Sequence, residues 1–234
     1  MNVLAINSTT STFLEVAVLR NNKIFYLIKK VDTAYYEDLI LLIKKLLYNC
    51  RLNIRDLDYL GVCIGPGSFT GIRLGLATMQ ALAYSIKKAL IGFKSLELLA
   101  WSVTDNLDNR NILFVIKDAK RDNFYSAIFF KDKKMKEIKG CRLINKNDFL
   151  DELKRISKNR VVYVVSDVVE GNENKQWRDF GNIIYLNPSS DDNRAKALIG
   201  LTNFYFNKNK RRNILNVQPL YLYSRYCQVH SFQK

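Results

Sequence analysis

The sequence predicts an α/β protein written twice over, two mixed β-sheets flanked by helices. Three observations lead there. "VLAINSTTSTFLEVAVL" (Val3–Leu19) aligns without a gap onto "FVIKDAKRDNFYSAIFF" (Phe114–Phe130), setting Asn7 opposite Asp118 and Phe13 opposite Phe124. In both copies a strand, a polar turn and a second strand lead into a third strand, an amphipathic helix and a fourth strand. An apolar share of 48% is enough for a core, and no run approaches the ~18–20 apolar residues of a membrane span. Strand-strand-strand-helix-strand, then helix, repeated, is the plan of a duplicated ribonuclease-H-like fold.

The elements follow in order. Val3–Ile6 has neither a basic lead nor a cleavage site before it and reads as a strand, not a signal peptide. The third strands are Lys23–Ile28 and Lys136–Leu143. Over Glu37–Cys50, Leu39, Leu42, Ile43, Leu46 and Leu47 keep helical spacing. Ile40 and Leu41 stand outside that stripe, so little beyond Lys44 and Lys45 is left as the polar face a surface helix normally shows. The strand Leu57–Ile64 ends in the loop "GPGSFTG" (Gly65–Gly71), and a helix follows over Gly71–Lys87. There Gly75 and the steps Ala77, Ala81, Ser85 allow a second helix to approach to ~8 Å. Such a helix is either buried in one core or half of a pair that also packs against a partner subunit.

In the second copy the helix is Asp148–Arg160 and the strand Val161–Ser166. A late helix over Arg194–Phe206 is placed to cross back to the first half. The expected boundaries are 1–104 for one subdomain, 105–225 for the other, and a loose tail over 226–234.

The loop Gly65–Gly71 is tested against known chemistries. A phosphate-binding Walker loop needs Gly-Lys-Ser/Thr at its end, and Ile72-Arg73 follow instead. The dinucleotide fingerprint needs a different glycine spacing and a later acid. A nucleophile elbow would use Ser68, but "PGSFTG" misses the pattern and the single histidine, His230, lies near the chain end. What is left is backbone: free N–H groups at a helix start, capped by Thr70, attract anions. The same glycines equally serve a tight strand-to-helix turn. Candidate anion-binding groups are Asn7, Ser8, Thr10, Gly65, Gly67, Ser68, Gly71 and Asp118.

The four cysteines, Cys50, Cys63, Cys141 and Cys227, form no C-x-x-C pair, so metal-finger spacing is absent. Scattered thiols suggest a reducing cytoplasm. The net charge is +15, with cations crowded over 110–160 and 208–212. That points to a polyanion, nucleic acid first. Abundant Lys, Asn and Ile throughout give the charge a compositional explanation as well.

"VLAINSTTSTFLEVAVL", "GPGSFTGIRLGLATMQALA", "LIGFKSLELLA", "FVIKDAKRDNFYSAIF" and "VQPLYLY" occur in an order and spacing that resemble the TsaB (YeaZ) family of the bacterial tRNA threonylcarbamoyladenosine system. The resemblance covers about Val3 to Tyr223, and its most specific part is Gly65–Gly75. It implies an actin-like (ASKHA) duplicated ribonuclease-H-like fold. It implies a non-catalytic dimerisation or scaffold subunit with no cofactor and no metal. Such a subunit supports transfer of threonylcarbamoyl to the adenosine beside the tRNA anticodon, through a catalytic TsaD subunit joined by the TsaE ATPase. A homodimer forms in the absence of TsaD, contact with tRNA is indirect, and the setting is cytoplasmic with no membrane. The family pairs through its first two helices, here Tyr36–Cys50 and Gly71–Lys87. The expected interface is Leu39, Leu42, Ile43, Leu46, Leu74, Thr78, Ala81 and Leu82.

Two positions depart from the family. Asn7 stands where the pattern I-D-T-S has Asp, and Tyr35-Tyr36 where a histidine-serine pair is common. The alternative is an actin-like small-molecule kinase or ATPase, using the turns Asn7–Thr10, Gly65–Gly71 and Asp118–Arg121. Carboxylates that would hold Mg²⁺ for such chemistry are thin here, because Asn7 offers only a neutral oxygen.

Overall fold

Ten strands and five α-helices are assigned in the computed structural model, which describes residues 1–10, 13–30, 35–167, 182–186, 190–208 and 216–223. The predicted tail 226–234, His230, Cys227 and cations 210–212 lie outside the described residues.

The first sheet contains β1 (Val3–Asn7), β2 (Phe13–Arg20), β3 (Lys23–Lys30), β4 (Tyr59–Cys63) and β5 (Ala89–Phe93), in the order β3-β2-β1-β4-β5. β1 pairs antiparallel with β2 and parallel with β4, so the sheet is mixed as expected. The second repeats it: β6 (Asn111–Asp118), β7 (Asn123–Lys131), β8 (Met135–Asn145), β9 (Val162–Ser166) and β10 (Ile183–Leu186), ordered β10-β9-β6-β7-β8.

The register refines the gapless repeat. Asn7 pairs with Glu15, whereas Asp118 pairs with Phe124. With Asn7 and Asp118 as counterparts, Glu15 rather than Phe13 is the counterpart of Phe124. The turn after β6 is tighter than the one after β1, and the slip is two residues. Because side chains alternate with period two, a slip of two leaves every residue on its own face. The apolar pattern therefore aligned even though the residues did not.

The helices are α1 (Tyr35–Asn49), α2 (Phe69–Ser85), α3 (Ser95–Ser102), α4 (Lys146–Ser157) and α5 (Asp191–Lys208). One face of the first sheet (Leu4, Ile6, Val16, Leu60, Val62) packs with α1 and α2 side chains. The opposite face (Val3, Ala5, Tyr59, Ile91, Phe93) packs with Leu98 of α3 and Leu198, Ile199 and Leu201 of α5. Gly61 on β4 lets α5 lie close, since a Cβ there would overlap Thr202. On the second sheet Phe114, Phe124, Ile128 and Val164 enclose Phe149 and Leu153 of α4.

Contacts divide the chain into two units. One joins Met1–Ser102 to Ser189–Leu220; the other is Val103–Pro188 with the chain from Tyr221. The late helix, α5, falls within 105–225 by position, and its contacts are with the first unit. No described helix is long and apolar enough to cross a membrane.

Candidate partner-binding face and loop sites

α1 carries more apolar residues than one face can bury. Leu39, Ile43, Leu46 and Leu47 turn inward onto the sheet. Of the interface expected from sequence, Leu39, Ile43 and Leu46 therefore belong to the chain's own core. The physical reason is that the widest apolar stripe of a helix goes to the sheet it covers. What remains outward is Ile40 (48% exposed), Leu41 (59%) and Tyr48 (83%), beside Lys44 and Lys45. Leu42 is half-buried against the same core.

α2 sorts in the same way. Gly71, Ile72, Gly75, Leu76, Met79 and Ala83 face in. Ala77, Ala81 and Tyr84 (76% exposed) face out, with Leu74, Thr78 and Leu82 half-buried at the margin. Arg73 lies over the Phe69 ring at 3.8 Å. α1 and α2 touch, so their outward residues share one surface: apolar on α1, small on α2. Ile40 and Leu41 are legible in the sequence as residues outside the stripe, whereas Tyr48 and Tyr84 are not. Amphipathic tyrosines carry no inside-or-outside signal of their own.

The glycine loop is built by contact with the β1–β2 turn. Ser68, not Thr70, caps α2, accepting from the Gly71 N–H at 3.2 Å. The Ser68 N–H donates to the Thr9 carbonyl at 2.8 Å. Ser8 Oγ donates to the Gly71 carbonyl at 2.7 Å. A Cβ at Gly67 would overlap the Thr9 carbonyl, and one at Gly71 the Ser8 carbonyl. Gly65, at φ +103°, holds the left-handed backbone that glycine tolerates best. Thr10 Oγ1 accepts from the Phe13 N–H and donates to its carbonyl, at 3.0 and 2.7 Å. The Ser68–Thr9 and Ser8–Gly71 bonds thus join the two loops.

Beneath that turn lies a buried polar cluster. Asn7 Oδ1 accepts from the Thr9 N–H (3.0 Å) and Thr9 Oγ1 (2.8 Å). Asn7 Nδ2 donates to Glu15 at 3.0 Å. The other Glu15 oxygen pairs with Arg194 of α5, whose own pKa is lowered by burial. Glu15 is fully buried. Sequence reasoning missed both charges, because a glutamate in an alternating strand reads as a solvent-facing position.

The corresponding turn of the second unit holds Asp118. Its carboxylate accepts from the Lys120 N–H at 2.9 Å and pairs with the Lys120 ammonium at 2.7 Å. Burial pushes its pKa up, but those bonds and the charges of Lys120 and Lys146 outweigh it, leaving it below the ordinary value. Lys117 pairs with Asp167 at 3.1 Å. Tyr125 is pushed up to about 12, chiefly by burial. Among the described residues, no three His, Cys, Asp or Glu gather as a metal site would require.

Known proteins resemble this chain along nearly its whole length. The matching family model is described as TsaD: tRNA N6-adenosine threonylcarbamoyltransferase, and the match covers residues 29–174. The tRNA threonylcarbamoyladenosine biosynthesis protein TsaB of Buchnera aphidicola subsp. Schizaphis graminum is 27% identical over 216 residues, 92% of this chain and 97% of that protein. YeaZ from Pseudomonas aeruginosa superposes with a TM-score of 0.74 at 16% identity, covering 94% of this chain and 99% of the other. The ROK hexokinase from Thermus thermophilus gives 0.51 at 9% identity, covering 90% and 100%. The structural likenesses establish the fold, which is actin-like.

Proposed function

The chain belongs to the family described as TsaD, tRNA N6-adenosine threonylcarbamoyltransferase, with relatives there named TsaB, and from that premise we propose that it is a non-catalytic scaffold subunit of threonylcarbamoyladenosine formation on tRNA. It works in the cytoplasm through a TsaD-type catalytic partner, joined by a TsaE-type ATPase, and pairs with itself when alone. The observation that carries this is the outward face of α1 and α2. Ile40, Leu41 and Tyr48 are exposed on a helix already anchored by its other apolar side, next to the small exposed Ala77 and Ala81. Apolar residues on one helix and small ones on its neighbour suit close packing by further helices. A standard interface buries about 800 Å² per partner, which two helices of 15 and 17 residues can supply.

The turns that a kinase or ATPase would use support the same reading. Asn7 gives its amide to Glu15 and Asp118 is held by Lys120, so neither strand-end position offers a free carboxylate. The isolated chain is expected to hydrolyse no ATP above background; turnover lost on Asp118→Asn would favour the kinase alternative.

The interface is tested with Leu41→Glu/Ala81→Glu. Both positions are exposed, so the variant keeps the wild-type melting temperature within a few degrees. Light scattering with a TsaD-type partner is expected to show association at least 100-fold weaker, about 2.7 kcal/mol. Association within threefold of wild type would refute this face.

A further inference from the structure

We propose that one end of the second unit's sheet is a docking surface for the phosphate backbone of RNA. The choice of RNA among polyanions rests on the function proposed above; the surface itself is read from charge and topology. β6 and β7 pair Asn111 with Lys131, β7 and β8 pair Phe130 with Lys136, and β6 and β9 pair Ile112 with Val162. The Arg110 N–H donates to the Lys131 carbonyl at 2.6 Å. Arg110, the turn holding Lys133 and Lys134, Lys136, and the approach to β9 through Lys158 and Arg160 therefore gather at the same end of the sheet. All six cations are exposed, and none makes an ion pair or side-chain hydrogen bond among the described residues. The acids nearby are Asp108, Asp132 and Glu137, half as many.

The opposite end of the same sheet is different. There Lys117 meets Asp167, Lys120 meets Asp118 and Lys146 meets Asp122 at 3.1, 2.7 and 3.7 Å. A lysine-rich composition alone would leave cations unpaired at both ends. Here they are balanced where the turn resembles a ligand loop and unbalanced where it does not.

The unbalanced end spans β9-β6-β7-β8, three strand spacings or ~14 Å, enough for several phosphates of one nucleic acid strand. Its cations stand on turns and a strand edge, not on an amphipathic helix with a broad apolar face, which is how a protein lies on a membrane. The six residues named are all cationic, with no aromatic platform among them, so the contact is with backbone and independent of sequence.

The test uses the full-length chain and a fluorescein-labelled, unmodified tRNA transcript, followed by anisotropy at 50 and 200 mM KCl. Four phosphate contacts predict a loss of affinity on the order of 100-fold across that range. Lys133→Glu/Lys134→Glu/Lys136→Glu is expected to weaken binding at least tenfold at 50 mM and to flatten the salt slope by about two. Arg110→Gln/Arg160→Gln gives a smaller loss in the same direction. Lys23→Glu/Lys30→Glu/Arg55→Glu, exposed cations of the first unit, makes the same change in net charge and stays within threefold of wild type.

Equal losses in the two triple variants, binding by wild type that ignores salt, or capture by phosphatidylserine vesicles in preference to tRNA would each overturn the inference. Leu41→Glu/Ala81→Glu separates it from the proposed function. That variant is expected to lose the protein partner and keep tRNA affinity, while the 133/134/136 variant does the reverse.

Discussion

Both polar atoms of the Asn7 side chain are committed, the amide to Glu15 and the oxygen to Thr9. An aspartate there would put a second carboxylate about 3 Å from the first, where both residues are buried, and like charges that close cannot both ionise. The amide at position 7 thus has a local role, bonding to a carboxylate already present. Glu15 already supplies the negative charge of this turn, and Arg194 of α5 balances it. Asn7→Asp is expected to cost about 2–3 kcal/mol, the loss of a hydrogen bond to a buried charge plus the repulsion that replaces it. Urea unfolding at pH 7 checks this, and a loss under 0.5 kcal/mol would show the carboxylate to be accommodated. The sequence exposed the oddity at position 7 but not its reason. Glu15 lies eight residues on and Arg194 in another quarter of the chain, and only the folded register joins them.

At the scale of elements, periodicity revealed that helices and strands exist and left their rotation open. The stripe Leu39, Leu42, Ile43, Leu46, Leu47 is readable, yet a stripe says only that a helix is amphipathic, not which surface receives it. It is the residues in excess of the stripe, Ile40 and Leu41, that mark an outward face. The repeat was readable for a similar reason: a two-residue slip between β2 and β7 preserves faces. Capping was not, because Ser68 and Thr70 are both capping residues by type, and the choice fell to the residue whose oxygen meets the Gly71 N–H.

The seam between β8 and α4 is held by charge. Glu152 on α4 accepts from Lys139 at 2.7 Å and pairs with Arg142, both on β8. Burial pushes the Glu152 pKa up, but these partners outweigh it and hold it below its ordinary 4.5. A carboxyl depressed in the folded state contributes stability that is present above its unfolded value and lost as pH falls through the folded one. Glu152→Gln is therefore expected to be less stable than wild type at pH 7, on the order of 1–3 kcal/mol, with the gap narrowing as pH falls below 4.5 and through the folded value. Thermal melts at stepwise lower pH measure it; a gap that stays constant from pH 7 down to acid unfolding would mean the glutamate acts through packing alone.

The whole molecule is not two domains in sequence. Its first unit is begun by Met1–Ser102 and completed by Ser189–Leu220, and α5 contacts every strand of the first sheet. Without α5, the face formed by Val3, Ala5, Tyr59, Ile91 and Phe93 loses its cover. Leu198, Ile199 and Leu201 are each buried there, and at ~1.5–3 kcal/mol per side chain they contribute roughly 5–9 kcal/mol. That is comparable with the entire net stability of an ordinary domain, about 5–15 kcal/mol. The truncation also removes Arg194, the cation that balances Glu15 on that face. A chain truncated after residue 188 is therefore expected to lose the first unit's cooperative melt and to bind a hydrophobic dye. A peptide of residues 189–220 added in trans is expected to restore the transition, in proportion to its concentration. If the truncated chain melts cooperatively at the wild-type temperature without the peptide, α5 is an accessory and the first sheet holds its own core.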